Sequence, residues 1–188
     1  MKYYEMFADS ENADNYMRCL GHNTYNVDDY ATSSGEIITG WNIEITFICD
    51  NSDERLHRDY LTSDFGWYIV SKRFRGVVED LARDSIQYLP IKLIRSDINQ
   101  IDDTYMVANV IDIVDAFDLK KSKHKTIRAY GEKIHMVEDY ALREKSLEGH
   151  HIFKLKGETI PTFVSEKFKD TLQQNNIMGF AFLEVKLV

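Results

Sequence analysis

The sequence has little of what keeps a chain extended. Its 188 residues include only 2 prolines and 9 glycines, too few for long Pro- or Gly-rich linkers. It lacks any apolar run near the ~18–20 residues a membrane helix needs. The opening, MKYYEMFADSENAD, has no apolar stretch of signal-peptide type and turns acidic at once. The expectation is a cytoplasmic protein with no membrane partner. Cysteine is scarce, at Cys19 and Cys49. A disulfide is possible on number alone, but nothing marks the chain as secreted, and free thiols are expected.

The first third is also short of positive charge. Residues 1–54 hold eleven acids against Lys2 and Arg18, while the rest of the chain holds 20 acids and 21 bases. The whole negative excess behind the formal charge of −8 therefore sits at one end. Nucleic acid is excluded as a direct partner, because phosphates need basic patches. A surface of this kind keeps a protein soluble, or steers a basic protein partner.

Motifs of chemistry are missing as well. The six histidines show no HExxH or HxH spacing, and neither cysteine has a CxxC partner. His150 and His151 are adjacent on a predicted strand and point to opposite faces. There is no Gly-rich phosphate loop and no GxSxG elbow. Asp112, Asp115 and Asp118 recur every third residue without an EF-hand pattern, and read as caps and turns. No catalytic residue, metal or cofactor is assigned, and the chain reads as a non-enzyme.

What is present is an ordinary globular mix, 44% hydrophobic and 12% aromatic. Residues 2–7 read as a strand, 8–40 as loop with one short helix near Asn15–Leu20, and 40–50 as a strand with alternating β-branched residues. NSDERLHRDY reads as a polar connection. Then WYIV (67–70) is a strand, Ser71 a helix cap, KRFRGVVEDLARD an amphipathic helix and IQYLPIKLI (86–94) a strand. Pro90 marks an edge or a bulge. Further strands are expected over 104–114, in KTIRAY and KIHMVED around Gly131, and in HIFKL and TIPTF around a turn at Gly157–Glu158. YALREKSL reads as a helical turn. Ser165 then caps EKFKDTLQQNN, and 178–188 closes as a strand.

Residues 69–93 and 163–187 align without a gap at an offset of 94. Val70/Val164, Ser71/Ser165, Phe74/Phe168, Leu89/Leu183, Lys92/Lys186 and Leu93/Leu187 are identical. The predicted fold class is α+β, a mixed, mostly antiparallel sheet with two Ser-capped helices in repeated β-α-β units. The predicted organisation is an acidic strand and loop region, 1–58, packed on a main α+β domain, 59–188.

Three segments carry a resemblance: DFGWYIVSKRFRGVVEDLARDSIQYLPIKL, YMVANVIDIVDAFDLKKSKH and HHIFKLKGETIPTFVSEKFKDTLQQNNIMGFAFLEV. Together they resemble the immunity protein eleven family of bacterial polymorphic toxin systems. The matching positions are Asp64, Ser71, Phe74, Tyr105, Asn109, Asp115, Asp118, Ser122, Phe153, Ser165, Gly179 and Phe182. The resemblance covers roughly 60–188, with weak likeness over 8–58, and Lys154 stands where the family would lead one to expect Arg. It implies a protein that binds and silences a cognate toxin delivered between cells, for instance by a type VI apparatus.

The residues themselves suggest where such binding would occur. The negative excess, the loop-rich stretch and several aromatics coincide, giving Tyr25, Asp28, Asp29, Tyr30, Trp41, Asp53 and Glu54 as candidate toxin-binding residues. Tyr60, also in polar surroundings, is a further candidate anchor. Asp28–Asp29 reads equally as a solvated turn. The rival functions are an enzyme that reverses a toxin's modification, and an adaptor module with no toxin.

Overall fold

A computed structural model describes residues 1–11, 17–50, 58–96, 100–129 and 132–188. Its strands are β1 (Tyr3–Ala8), β2 (Arg18–Asn23), β3 (Thr46–Asp50), β4 (Tyr60–Leu61), β5 (Tyr68–Ser71), β6 (Ile86–Pro90), β7 (Lys92–Arg95), β8 (Gln100–Asp102) and β9 (Tyr105–Val110). Then come β10 (Ile113–Val114), β11 (Lys123–Ala129), β12 (Glu132–Asp139), β13 (Ala141–Leu142), β14 (Ile152–Leu155), β15 (Glu158–Ser165), β16 (Phe180–Glu184) and β17 (Lys186–Leu187). The helices are α1 (Lys72–Ala82) and α2 (Glu166–Gln174), with 3-10 turns at Ala31–Ser33 and Glu144–Ser146. The class is α+β. Pairing is mostly antiparallel, with parallel pairs β3·β7, β10·β14 and β13·β17.

The sheets lie in layers, and each is explained by which faces its residues can bury. The outer sheet, in order β2-β3-β7-β8, turns Cys19, Phe47, Cys49 and Leu93 toward Trp67, Ile69 and Val107 of the middle sheet, β4-β5-β9-β6. The middle sheet's other face sends Val70, Met106 and Ala108 into a second cluster with Phe74, Val78, Phe168 and Leu172 of the two helices. Beyond them lies the five-stranded sheet β10-β14-β15-β1-β16, whose far face packs Tyr3, Phe153 and Phe163 on Leu142 and Leu147. Strand β9 is buried along its whole length. That explains its unbroken YMVANV: a strand covered on both faces does not alternate.

The two strand–helix–strand units have the same build. β5 and β6 do not pair with each other; β9 lies between them, antiparallel to both. Likewise β1 lies between β15 and β16. Ser71 pairs with Tyr105 and Ser165 with Tyr3. The Ser71 N–H donates to the Asp59 carbonyl at 2.8 Å and the Ser165 N–H to the His151 carbonyl at 3.0 Å. Each helix begins with its serine Oγ accepting from a phenylalanine N–H, Phe74 at 3.0 Å and Phe168 at 3.1 Å. The helices meet through those same phenylalanines, edge to face at 6.3 Å.

Several expected elements differ. Where a helix near Asn15–Leu20 was expected, residues 18–20 belong to β2, and 15–16 lie outside the described residues. Pairing with β3 overrides the local preference. The strand expected over 40–50 is confined to β3, because Asn42 accepts from Glu44 and Ile45 in a turn. The stretch 86–94 is two strands in two sheets, broken after Pro90, which ends the edge strand β6. The stretch 104–114 is likewise divided where the Ile111 N–H leaves the ladder for the Ser85 carbonyl. The polar connection hides β4, and Tyr60 is buried there, stacked on Phe180 at 4.9 Å, so it cannot anchor a partner.

Candidate functional site

The stretch 23–45 crosses the edge of the middle sheet without being part of it. It contains four acids, Asp28, Asp29, Glu36 and Glu44, and no Lys, Arg or His. It is held mainly by its backbone. The Trp67 indole N–H donates to the Asp29 carbonyl at 2.8 Å. The Gln87 side-chain amide makes a two-way bond with the backbone of Ile38, at 2.9 and 2.8 Å. Asn109, fully buried on β9, donates to the Glu36 carbonyl at 2.8 Å and to the Gln87 amide oxygen at 3.0 Å. Gly35 has a φ of +75°, and a side chain there would meet Ile113 at 2.9 Å. Only glycine fits that close a passage. Apolar pegs complete the attachment: Val27, Ile38 and Trp41 rest on the cluster around Trp67.

This mode of anchoring leaves side chains outward. Tyr30 is 76% exposed, Ile37 and Ile43 64%, Tyr25 45%. Asp28 and Asp29 are exposed beside them. Asp28 has a local task too, its carboxylate accepting from the Tyr30 N–H at 2.7 Å, which makes the turn. Trp41 is half-buried, its ring tilted on Trp67 at 5.5 Å and its N–H on the Pro90 carbonyl at 2.7 Å. Of the seven sequence candidates, Tyr25, Asp28, Asp29, Tyr30 and Trp41 thus lie on one anchored stretch. Asp53 and Glu54 lie outside the described residues. Sequence reading missed Ile37 and Ile43; the absence of basic residues around both was the available signal, but Ile43 was absorbed into the strand expected over 40–50.

The other polar clusters disperse. The Asp112 carboxylate meets His150 Nδ1 at 2.7 Å; Asp115 pairs with Arg143, and Asp118 accepts from Lys121 N–H at 3.1 Å. His151 Nδ1 turns the other way, to Ser165 Oγ at 2.8 Å. His150 and Asp112 border an open cleft of about 470 Å3 with Asp80, Asp84 and Ser85. The Ser85 hydroxyl there points to Asp112 at 3.4 Å, not to the imidazole, so it is not placed as a nucleophile activated by that histidine. Among the described residues, no three His, Cys, Asp or Glu side chains are grouped to hold a metal ion. No helix among them is long and apolar enough to cross a membrane.

Several positions that carried the family resemblance serve the architecture. Ser71 and Ser165 cap helices, and Asn109 holds the acidic stretch. Ser122 Oγ accepts from the Ala141 N–H at 2.9 Å. The Tyr105 hydroxyl donates to the Arg58 carbonyl at 2.9 Å. Gly179, at φ +107°, passes so close to Tyr60 that a side chain would sit 2.8 Å from its carbonyl. Such residues set the shape of a family rather than the identity of a partner.

No curated protein matches the chain. The model of the Immunity protein family (Imm11) matches residues 3–187, reaching through the acidic first third, where the resemblance is weak. With a match over nearly its whole length, the chain belongs to the Imm11 immunity protein family.

Proposed function

We propose that this protein binds a cognate antibacterial toxin in the cytoplasm and neutralises it, and that the acidic stretch 23–45 forms the toxin-facing surface. Family membership is the observation that carries the immunity role. The surface assignment is supported by the outward set Tyr25, Asp28, Asp29, Tyr30, Ile37 and Ile43 on a backbone-anchored run with no basic residue. Aromatic anchors with acidic neighbours suit a basic partner. Toxins that act on nucleic acids or nucleotides tend to be basic around their sites. An inhibitor covering such a site gains association rate from opposite charge.

The test uses the toxin encoded beside this chain, identified by co-purification with the product of the adjacent open reading frame. Replacing Asp28, Asp29, Asp53 and Glu54 together by Lys slows association, most at low ionic strength where screening is weakest. Dissociation changes less than association, and a thermal melt of the variant reads separately the loss of the turn bond between Asp28 and the Tyr30 N–H. An association rate unchanged at low salt places the contact elsewhere, within residues 95–160.

A further inference from the structure

The two cysteines are brought together by strand register. Cys19 in β2 stands directly opposite Cys49 in β3. The backbone shows which kind of antiparallel pair this is. The Cys19 N–H turns away from β3, to the Thr62 carbonyl at 3.2 Å. The Cys49 carbonyl turns away from β2, accepting from the Ser96 N–H at 3.3 Å and its hydroxyl at 2.8 Å. The two residues therefore form a non-hydrogen-bonded pair, the type with Cα atoms about 4.5 Å apart and closer side chains. That spacing falls within the span of roughly 4.4–6.8 Å that a disulfide bridges. Both side chains are buried in the cluster of Phe47 and Trp67, and both thiols are free. The hydrogen bond between them and their burial push the Cys19 thiol up, so it is a poor nucleophile while the sheet is closed.

We propose that Cys19 and Cys49 are an oxidation site, a thiol pair set to form one intramolecular disulfide with an oxidant of the small-disulfide class, such as oxidised glutathione. Strand β2 is the outer strand of its sheet, so its opening uncovers Cys19 first. The Cys19 thiolate attacks one sulfur of the small disulfide. A mixed disulfide forms, and one small thiolate leaves to take up a proton. The Cys49 thiolate then attacks the Cys19 sulfur and expels the second small thiol. Two protein thiols are oxidised and one small disulfide is reduced to two thiols. The product ties both ends of the acidic stretch while leaving its exposed face untouched. The inference rests on register and burial, and holds whether or not that stretch meets a toxin.

The test is refolding from urea into a buffer of reduced and oxidised glutathione, followed by acid quench and mass spectrometry. The expected product is a monomer about 2 Da lighter than the reduced chain, with a peptide linking Cys19 to Cys49. In the same buffer kept in concentrated urea, the bridged fraction falls about tenfold or more, because the register is gone. Free thiols, glutathione on each cysteine, or bridges between chains in the folded sample overturn the proposal. So does an equal bridged fraction in urea.

Discussion

Ser71 and Ser165 cap their helices with different support. Each hydroxyl oxygen accepts a helix N–H, so its proton must go elsewhere. At Ser71 it goes to the Asp59 carboxylate at 2.6 Å, at Ser165 to His151 Nδ1 at 2.8 Å. Burial, then Lys167 and His150, lowers the His151 pKa, which keeps the ring neutral and able to accept. Ser71→Ala and Ser165→Ala should each cost ~0.5–2 kcal/mol in urea melts, with toxin affinity unchanged. A variant that kept its stability but lost affinity would move that serine to an interface. The serines were legible from sequence because a cap sits beside its helix. Asp59 and His151 were not, since a bond reaching back across a strand leaves no local pattern.

Lys154 is buried, its ammonium donating to the Thr159 carbonyl at 2.6 Å, and burial brings its pKa down to about 8. The unfolded chain holds that proton up to the ordinary lysine range. Between about pH 8 and 10.5 the unfolded state therefore binds more protons, and stability rises with pH. It is lost as pH falls through the folded value. Relative to Lys154→Met, the native protein should gain on the order of 2 kcal/mol between pH 7 and pH 10 in paired urea melts. Parallel curves for the two proteins would mean the ammonium is solvated.

At the scale of elements, β11 and β12 form a ribbon in which each strand pairs only with the other. One face carries Ile127 opposite Ile134, with Met136 beside them, all more than 40% exposed. Lys125 and Lys123 grip Glu138 on the same face and hold its carboxyl down to about 2. Two strands alone are marginal in water. Ile127→Thr with Ile134→Thr should therefore shift global stability by less than about 1 kcal/mol, and ribbon amides should exchange fastest with deuterium. A larger loss would mean the ribbon packs on the body. The ribbon strands were legible as β-branched runs. The splits after Pro90 and at Ile111 were only partly so: a strand moving from one sheet to the next keeps its residue types and changes only its partners.

At the scale of the whole molecule, the charge asymmetry was plain in the sequence, but what anchors it was not. Gln87 and Asn109, which hold the acidic stretch, lie far from it in the chain and resemble any polar strand residue. The same limit applies to the cleft beside His150, assembled from α1, the entry to β10 and the loop before β14. If the protein acts by binding alone, His150→Gln leaves protection against the toxin intact in a folded variant. Lost protection with normal folding and toxin binding would favour an enzyme that undoes the toxin's damage.

Strand β1 lies at the interior of the five-stranded sheet, between β15 and β16. Synthesis makes it long before either neighbour. At roughly 5–20 residues per second, the strand YYEMFA waits on the order of ten seconds with both edges unpaired. Throughout that time it is an apolar strand open to other growing chains. The middle sheet, whose strands β4 to β9 emerge close together, can assemble during the wait. Half of the molecule can thus fold as it is made, while the other half closes only when the late strands return to the early one.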